Sequence, residues 1–263
     1  MRIVRNVGHL KKKKQIARLS AFFGFLMLGS TFALIFFPGY VGAAYILLIV
    51  GFVLFNYGMQ QLGKWSNTPR HVRDDLALDA ALNPFSDKFV MMHYVLIGKK
   101  IVEHLLISPS GIVVVSTRDL PGSVTVEGKR WRKKSGGLTR FFMFSGPSLG
   151  SPSTDLERDI KLTIEALEAA MLEVDVFGAV VFTNEAIELD AADPEFPTMR
   201  ISHFADFVRT LPVDPTFKTN ERDALVALFG GGAKLEETKP VSVRRPVKVK
   251  RRTVPAAPSR SER

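Results

Sequence analysis

The longest apolar stretch of the chain runs from residue 19 to residue 63 and contains no Lys, Arg, Asp, Glu or His. As a single helix these 45 residues would measure about 68 Å at ~1.5 Å per residue, whereas a bilayer core is only ~30 Å thick. Pro38-Gly39 lies where a tight turn would divide the stretch in two. We therefore predict a transmembrane helical hairpin, with a signal peptide or a buried soluble hairpin as the alternatives.

Beyond the hairpin, strand-like and helix-like patterns alternate. The continuous apolar run IVVV indicates a central strand that is buried on both faces. We expect loops over the Gly-, Ser- and Phe-rich residues 133–150 and over the acidic residues 184–198. The remaining pattern predicts strands at 89–97, 102–107, 112–116, 123–131 (as a hairpin), 174–183 and 199–201, and helices from Asp74, from Ser153, and over 203–211 and 220–229. This order gives an α/β domain, a mixed sheet flanked by helices.

The net charge of +10 is concentrated at the two ends of the chain. Residues 1–18 hold seven basic and no acidic side chains, and residues 239–263 hold nine basic and one acidic. These segments carry a net charge of +15, which leaves −5 for the remainder, so the high pI of the whole chain does not indicate a nucleic-acid-binding domain. Lys and Arg flank both outer ends of the hairpin, which favours a cytoplasmic location for both termini and the α/β domain.

These patterns divide the chain into four segments. Residues 1–18 form a basic cytoplasmic N-terminus, and residues 19–63 form the membrane hairpin. Residues 66–232 form the α/β domain, and residues 233–263 form a disordered, basic, Pro-rich tail. The absence of cysteine agrees with a reducing compartment.

Three stretches resemble the nuclease-related (NERD) domain. They are VMMHYVLIGKKIVEHLLISPSGIVVVSTRDLPGSVTVEGKRWRKK, then GSPSTDLERDIKLTIEAL, then VFGAVVFTN, and together they cover roughly residues 70 to 210. The shared features are an acid-His pair at a strand start, a Pro/Gly turn, a Gly and a Trp around a hairpin, and a Pro before a long helix. The resemblance implies a restriction-endonuclease-like fold.

The resemblance also implies where a nuclease site would lie. The family's expected site has an acid on one strand, an acid-x-Lys triplet at the end of the next, and a Gln or similar residue on the long helix. Two carboxylates would hold a divalent cation, and the Lys would stabilise developing charge. In this sequence the four positions fall on Glu103, Ser116, Arg118 and Asp155.

Ser116 cannot supply an anionic metal ligand, and Arg118 stays charged and cannot act as a base. We therefore expect a catalytically degenerate domain without a bound metal, which binds nucleic acid or a protein partner as a scaffold. The alternative is an active, membrane-tethered nuclease that uses Mg²⁺ and a rearranged site of Glu103 with Asp119 or Asp155. A third interpretation is a spacer held to the membrane by its basic ends.

A second candidate site is the basic hairpin around Trp131. Basic and aromatic side chains together can bind nucleic acid through phosphate contacts and base stacking, and the same residues could contact anionic lipid. A solvated hairpin with Trp131 packed inward is the alternative. The candidate residues are Lys129, Arg130, Trp131, Arg132 and Lys133. The basic tail has the same possible partners, namely the lipid bilayer, nucleic acid or an acidic protein.

Overall fold

The computed structural model describes residues 1–66, 72–134, 149–215, 217–231 and 236–237. Apart from residues 236–237, the predicted tail over 233–263 lies outside these ranges, as does most of the loop predicted over 133–150. Seven α- and 3-10-helices and ten strands are described. The helices are α1 (Val7–Ile35), a 3-10 turn (Pro38–Tyr40), α2 (Val41–Trp65), α3 (Asp74–Leu82), α4 (Pro152–Ala169), α5 (Ile201–Thr210) and α6 (Thr219–Gly230). The strands are β1 (Arg2–Arg5), β2 (Val90–Ile97), β3 (Lys100–Ser108), β4 (Gly111–Arg118), β5 (Gly122–Gly128), β6 (Arg130–Lys134), β7 (Val176–Phe182), β8 (Ile187–Pro194), β9 (Thr198–Arg200) and β10 (Glu236–Glu237).

Helices α1 and α2 form the predicted hairpin, and both are long and apolar enough to cross a membrane. Small residues let the two backbones approach closely. A Cβ atom on Gly24 would lie 2.3 Å from the backbone nitrogen of Phe55, and one on Gly58 would lie 2.3 Å from that of Ala21. The large apolar side chains, including Phe22, point outward. Close backbone contact through small residues is typical of helix pairs in lipid.

The described strands form a mixed seven-stranded sheet in the order β10-β1-β2-β3-β4-β7-β9, and a three-stranded sheet in the order β6-β5-β8. Parallel pairs join β1 to β2, β4 to β7 and β7 to β9, and the other pairs of the large sheet are antiparallel. One face of the large sheet packs against α4, α6 and the small sheet, and the other face packs against α3 and α5. The predicted α/β class, a mixed sheet with helices on its faces, is confirmed.

The turn between β3 and β4 depends on one glycine. Gly111 has φ +115°, and a Cβ atom there would lie 2.4 Å from the carbonyl oxygen of Asp175. Only glycine fits such a conformation and approach without strain. Ser108 completes the turn by donating its hydroxyl hydrogen to the Gly111 carbonyl at 2.9 Å. The predicted SPSG turn therefore fixes the register of the two central strands.

Three strands, β1, β8 and β10, differ from the sequence prediction. Arg2–Arg5 lies inside the segment predicted as a basic N-terminus, yet it pairs in parallel with β2. Glu236–Glu237 lies inside the segment predicted as a disordered tail, yet it pairs antiparallel with Arg2–Arg5. The sheet thus takes in residues on both sides of the predicted 66–232 domain. Ile187–Pro194 lies within the predicted acidic loop, yet it pairs in parallel with β5. Its inner residues Ile187, Leu189 and Ala191 pack on the core, while the acidic side chains face outward.

Candidate functional site

A cleft of about 890 Å³ lies at the C-terminal end of β4. Its walls come from the ends of β3 and β4, the first two turns of α4, and the domain-side ends of α1 and α2. The four residues predicted for the site all line this one cleft, although they come from three different elements. They are Glu103, Ser116, Arg118 and Asp155.

Arg118 forms the centre of the site. Its guanidinium group donates to the Ser116 hydroxyl at 3.1 Å and pairs with the Asp155 carboxylate at 2.5 Å. It also donates to the carbonyl oxygens of Leu149 at 2.9 Å and Thr117 at 2.8 Å. Ser116 and Arg118 lie two residues apart on one strand, so their side chains share a face. The guanidinium group at the third position of the predicted site therefore lies between the residues at the second and fourth positions.

Asp155 has a second cationic partner. Arg158, one turn further along α4, approaches the other Asp155 oxygen at 3.2 Å and also pairs with Asp159 at 2.9 Å. Burial raises the pKa of Asp159 above its ordinary value, although the pair with Arg158 opposes the shift. Asp155 is thus held between two guanidinium groups.

Glu103 is paired across the cleft with the C-terminal end of α2. The Lys64 ammonium lies 3.3 Å from the Glu103 carboxylate, and the two side chains are 49% and 35% exposed. Burial alone would raise the pKa of Glu103, but Lys64, His104 and Arg118 outweigh it, and the pKa lies below its ordinary value. Glu103 is therefore an ionised carboxylate at neutral pH.

Two more carboxylates line the cleft. Asp119 directly follows β4, and Asp74 opens α3 and accepts a hydrogen bond from the Thr183 hydroxyl at 2.7 Å. Burial, with smaller contributions from Glu103 and Asp119, raises the pKa of Asp74. The alternative site of Glu103 with Asp119 or Asp155 thus has all its members in one cleft. Within the described ranges, however, no three His, Cys, Asp or Glu side chains are grouped as a metal site.

A buried polar network connects the start of the chain with the cleft, and sequence reasoning missed it. Arg5 pairs with Asp79 and with Asp75, the latter at 2.8 Å, and Asp79 contacts the His93 ring at 2.9 Å. The His93 and His104 rings are joined through their Nδ1 atoms at 2.8 Å, and Nε2 of His104 lies 3.2 Å from the Thr117 hydroxyl. Burial and the neighbouring His93 lower the pKa of His104 to about 3.

The only sequence signal for this network was indirect. His93 and His104 are two polar residues on apolar strands, and the antiparallel register places them directly opposite each other. His93 is fully buried within its strand. Its acidic partner could not be identified, because Asp79 comes from a helix whose position on the sheet is a tertiary property.

On the basic hairpin, the structure separates the aromatic residue from most of the charges. The Trp131 ring lies 6.1 Å from the Phe182 ring, and its Nε1 donates to the Ser153 hydroxyl at 2.9 Å. Arg130 and Arg132 alternate with Trp131 and are exposed on the opposite face of β6. Base stacking on Trp131 beside these arginines is therefore not available in this conformation. Of the other predicted residues, Lys133 is half-buried, and Lys129 pairs with Glu157 and Glu195.

The fold is a mixed α/β sheet with charged residues at the end of a central strand, next to a helical hairpin of membrane-spanning length. These features define the class of protein as an α/β domain joined to two long apolar helices. Residues 70–183 match the family model described as nuclease-related domain, NERD. The chain therefore contains a nuclease-related domain, and the predicted resemblance is confirmed. A search of curated proteins found no match, and neither did a search of solved structures.

The residues present do not fit the divalent metal that such a site implies. One of the two carboxylate positions holds the neutral hydroxyl of Ser116, and the Arg118 guanidinium occupies the space between that hydroxyl and Asp155. A divalent cation there would be repelled by the guanidinium, and Ser116 would not supply the second anionic oxygen ligand that the family's site implies. The arrangement can bind charged groups, but the donor set supports no step through a metal.

Proposed function

We propose that this chain is a membrane-anchored protein whose nuclease-related domain faces the cytoplasm and has exchanged metal-dependent cleavage for binding. The domain would act as a scaffold for nucleic acid or a protein partner near the membrane, and it would keep a restriction-endonuclease-like fold. The contacts of Arg118 with Ser116 and Asp155 are the observation that carries this proposal. The basic residues beside the hairpin support the cytoplasmic orientation.

The electrostatics of the cleft support the loss of catalysis. Each carboxylate at a predicted catalytic position already has a cationic partner from the chain, with Lys64 on Glu103 and Arg118 on Asp155. A metal would have to displace these partners before it could bind. Removing the charge stabilisation that a metal supplies would cost several kcal/mol in the transition state.

The test is cleavage of DNA and RNA by the full chain in detergent, with Mg²⁺ or Mn²⁺. The full chain is needed because Arg2–Arg5 forms part of the sheet. We expect no cleavage above that of Glu103→Ala. Robust cleavage that Glu103→Ala abolishes would overturn the proposal and favour the alternative, an active nuclease that uses Glu103 with Asp119 or Asp155. That alternative is worth testing because these three carboxylates line one cleft.

A gain-of-function variant gives a second test. Ser116→Glu together with Arg118→Lys restores the residue types that the family site implies, and we expect it to bind Mn²⁺ in calorimetry while the wild type does not. Ser123→Glu with Arg130→Lys makes the same chemical change on β5 and β6, outside the cleft, and serves as the control. Equal Mn²⁺ affinity of the wild type and the restored variant would contradict our account of the site.

For the binding role, the exposed arginines of β6 are the part of the predicted hairpin site that can reach a ligand. Arg130→Ala with Arg132→Ala should weaken nucleic-acid binding and reduce the slope of log affinity against log salt by about 1–2, because each phosphate contact contributes ~0.7–0.9. Lys161→Ala on α4, also exposed, is the matched control. Unchanged affinity in the double variant would leave a protein partner as the ligand of the scaffold.

A further inference from the structure

In the membrane-anchored arrangement proposed above, one wall of the cleft lies at the level of the lipid headgroups. Gln60, Gln61, Gly63, Lys64 and Trp65 line the cleft and form the end of α2. If the apolar span ends at residue 63, the Cα of Gln60 lies about 4.5 Å inside the hydrocarbon boundary and that of Lys64 about 1.5 Å outside it, at ~1.5 Å per residue. The headgroup layer is only ~5–8 Å thick on each side. The cleft therefore opens into this layer.

The charge composition of the cleft favours a ligand with both signs of charge. Among the described lining residues there are five carboxylates and four Lys or Arg side chains. A polyanion such as nucleic acid would be repelled by the carboxylates, and a simple cation by the basic groups. The carboxylates belong to Asp74, Glu103, Asp119, Asp155 and Asp159, and the basic groups belong to Lys13, Lys64, Arg118 and Arg158.

The ion pair between Lys64 and Glu103 is the contact in the cleft that a ligand can break. Both side chains are partly exposed, and they meet at 3.3 Å without a second ionic partner among the described residues. Because both side chains are partly exposed, separating them costs less than breaking a fully buried pair. Arg118 and Asp155 differ, because each has several further contacts.

We infer that the cleft binds the zwitterionic headgroup of a phospholipid with a primary amine, of the phosphoethanolamine type, from the leaflet that faces the domain. The phosphate binds Lys64, with Lys13 as the second cation of that wall, and the ammonium group binds Glu103. One exposed ion pair is thereby replaced by two. This inference rests on the membrane anchoring in the proposed function, but it does not depend on the loss of nuclease activity.

The chemistry of the cleft also separates a primary amine from a quaternary one. A carboxylate accepts N–H hydrogen bonds from a primary ammonium, whereas recognition of a trimethylammonium group relies on the faces of exposed aromatic rings. The aromatic rings near the cleft are already engaged, because Trp65 and Tyr94 pack on each other and on His9. Trp65 and Tyr94 are also largely buried, at 7% and 5% exposure.

The test uses the full chain in detergent, titrated with phosphatidylethanolamine, phosphatidylcholine or phosphatidylglycerol of identical acyl chains, with native mass spectrometry to count bound lipid. We expect one tightly bound phosphatidylethanolamine, with about tenfold or greater preference over the other two lipids, the effect of one charge-assisted hydrogen bond. Glu103→Gln should abolish the preference over phosphatidylcholine, and Lys64→Met should weaken binding of all three lipids.

Lys12→Met is the matched control, because Lys12 is an exposed lysine of α1 that does not line the cleft. It should leave both affinity and preference unchanged, and a thermal denaturation curve for each variant shows that it is folded. Equal affinities for the three lipids, or equal losses in Lys12→Met and Lys64→Met, would overturn the inference. Cleavage by the wild type would overturn only the proposed function, so the two failures can be told apart.

Discussion

The ion pairs between Arg5 on β1 and the buried aspartates of α3 can be tested by removing the charge of Arg5. In Arg5→Met the side chain keeps an apolar stem but leaves Asp75 and Asp79 without their shared cation. Arg5 is 6% exposed and both carboxylates are 0% exposed. Breaking a buried ion pair by removing one partner costs ~3–5 kcal/mol. Asp75 keeps Arg73 at 2.5 Å and Asp79 keeps His93 at 2.9 Å, so we expect the lower end, about 3 kcal/mol.

The assay is guanidinium chloride unfolding of the full chain in detergent, followed by tryptophan fluorescence. Arg2→Met is the matched control on the same strand, since Arg2 is 36% exposed and pairs with Glu237 at 3.1 Å and Asp223 at 3.6 Å. Such an exposed pair is worth ~0–1 kcal/mol. If the two variants lose the same free energy of unfolding to within about 0.5 kcal/mol, Arg5 is not in a buried network and β1 is not part of the domain core.

Three further changes test other parts of the structure. Gly58→Ala should force α1 and α2 apart and lower the thermal stability of the hairpin, because the new Cβ would lie 2.3 Å from the Ala21 nitrogen. Gly42→Ala should leave the thermal stability unchanged, because nothing lies within 4 Å of a Cβ at that position. The pKa of His104 is lowered to about 3 from 6.5, so between these pH values the unfolded chain binds a proton that the folded chain does not. The free energy of unfolding should therefore fall by up to about 1.4 kcal/mol for each pH unit below pH 6.5. His104→Gln should flatten the curve of unfolding free energy against pH. Trp131→Phe removes the hydrogen bond to the buried Ser153 and should lower the free energy of unfolding by about 1–2 kcal/mol in chemical denaturation. Arg130→Ala, at an exposed position, should change it by no more than about 0.5 kcal/mol. Equal losses in the two variants would place Trp131 outside the core.

The parts of the fold that could be predicted from the sequence are those that a local pattern of residues determines. The uncharged stretch over 19–63, the SPSG turn and the buried strand IVVV each depend on neighbouring residues. β8 was missed although its alternation of Ile187, Leu189 and Ala191 with acidic residues was present, because Asp and Pro are depleted in most strands. Here the acidic residues lie on the solvent face of the small sheet, where they cost nothing.

β1 was missed for a different reason. Arg2–Arg5 has only four residues, and its partner strand begins at Val90, so no local signal marks the pairing. The lack of a local signal for long-range contacts also limited what could be predicted about the cleft. The convergence of Ser116, Arg118 and Asp155 follows from the order of strand and helix, but the approach of Lys64 depends on how the α1–α2 hairpin packs against the sheet. That relation is visible only in three dimensions.

The short link between β1 and α1 explains why this relation is fixed. Only Asn6 separates the strand from the helix, and its side chain accepts from the backbone N–H of His9 at 2.9 Å while donating to the Tyr94 carbonyl at 3.2 Å. Lys64 at the end of α2 then pairs with Glu103 on β3. Both helices of the hairpin are thus joined to the sheet, α1 through Asn6 at its start and α2 through Lys64 at its end. A domain held in this way keeps the strand ends that form the cleft beside the end of α2, which is the condition that the proposed headgroup site requires.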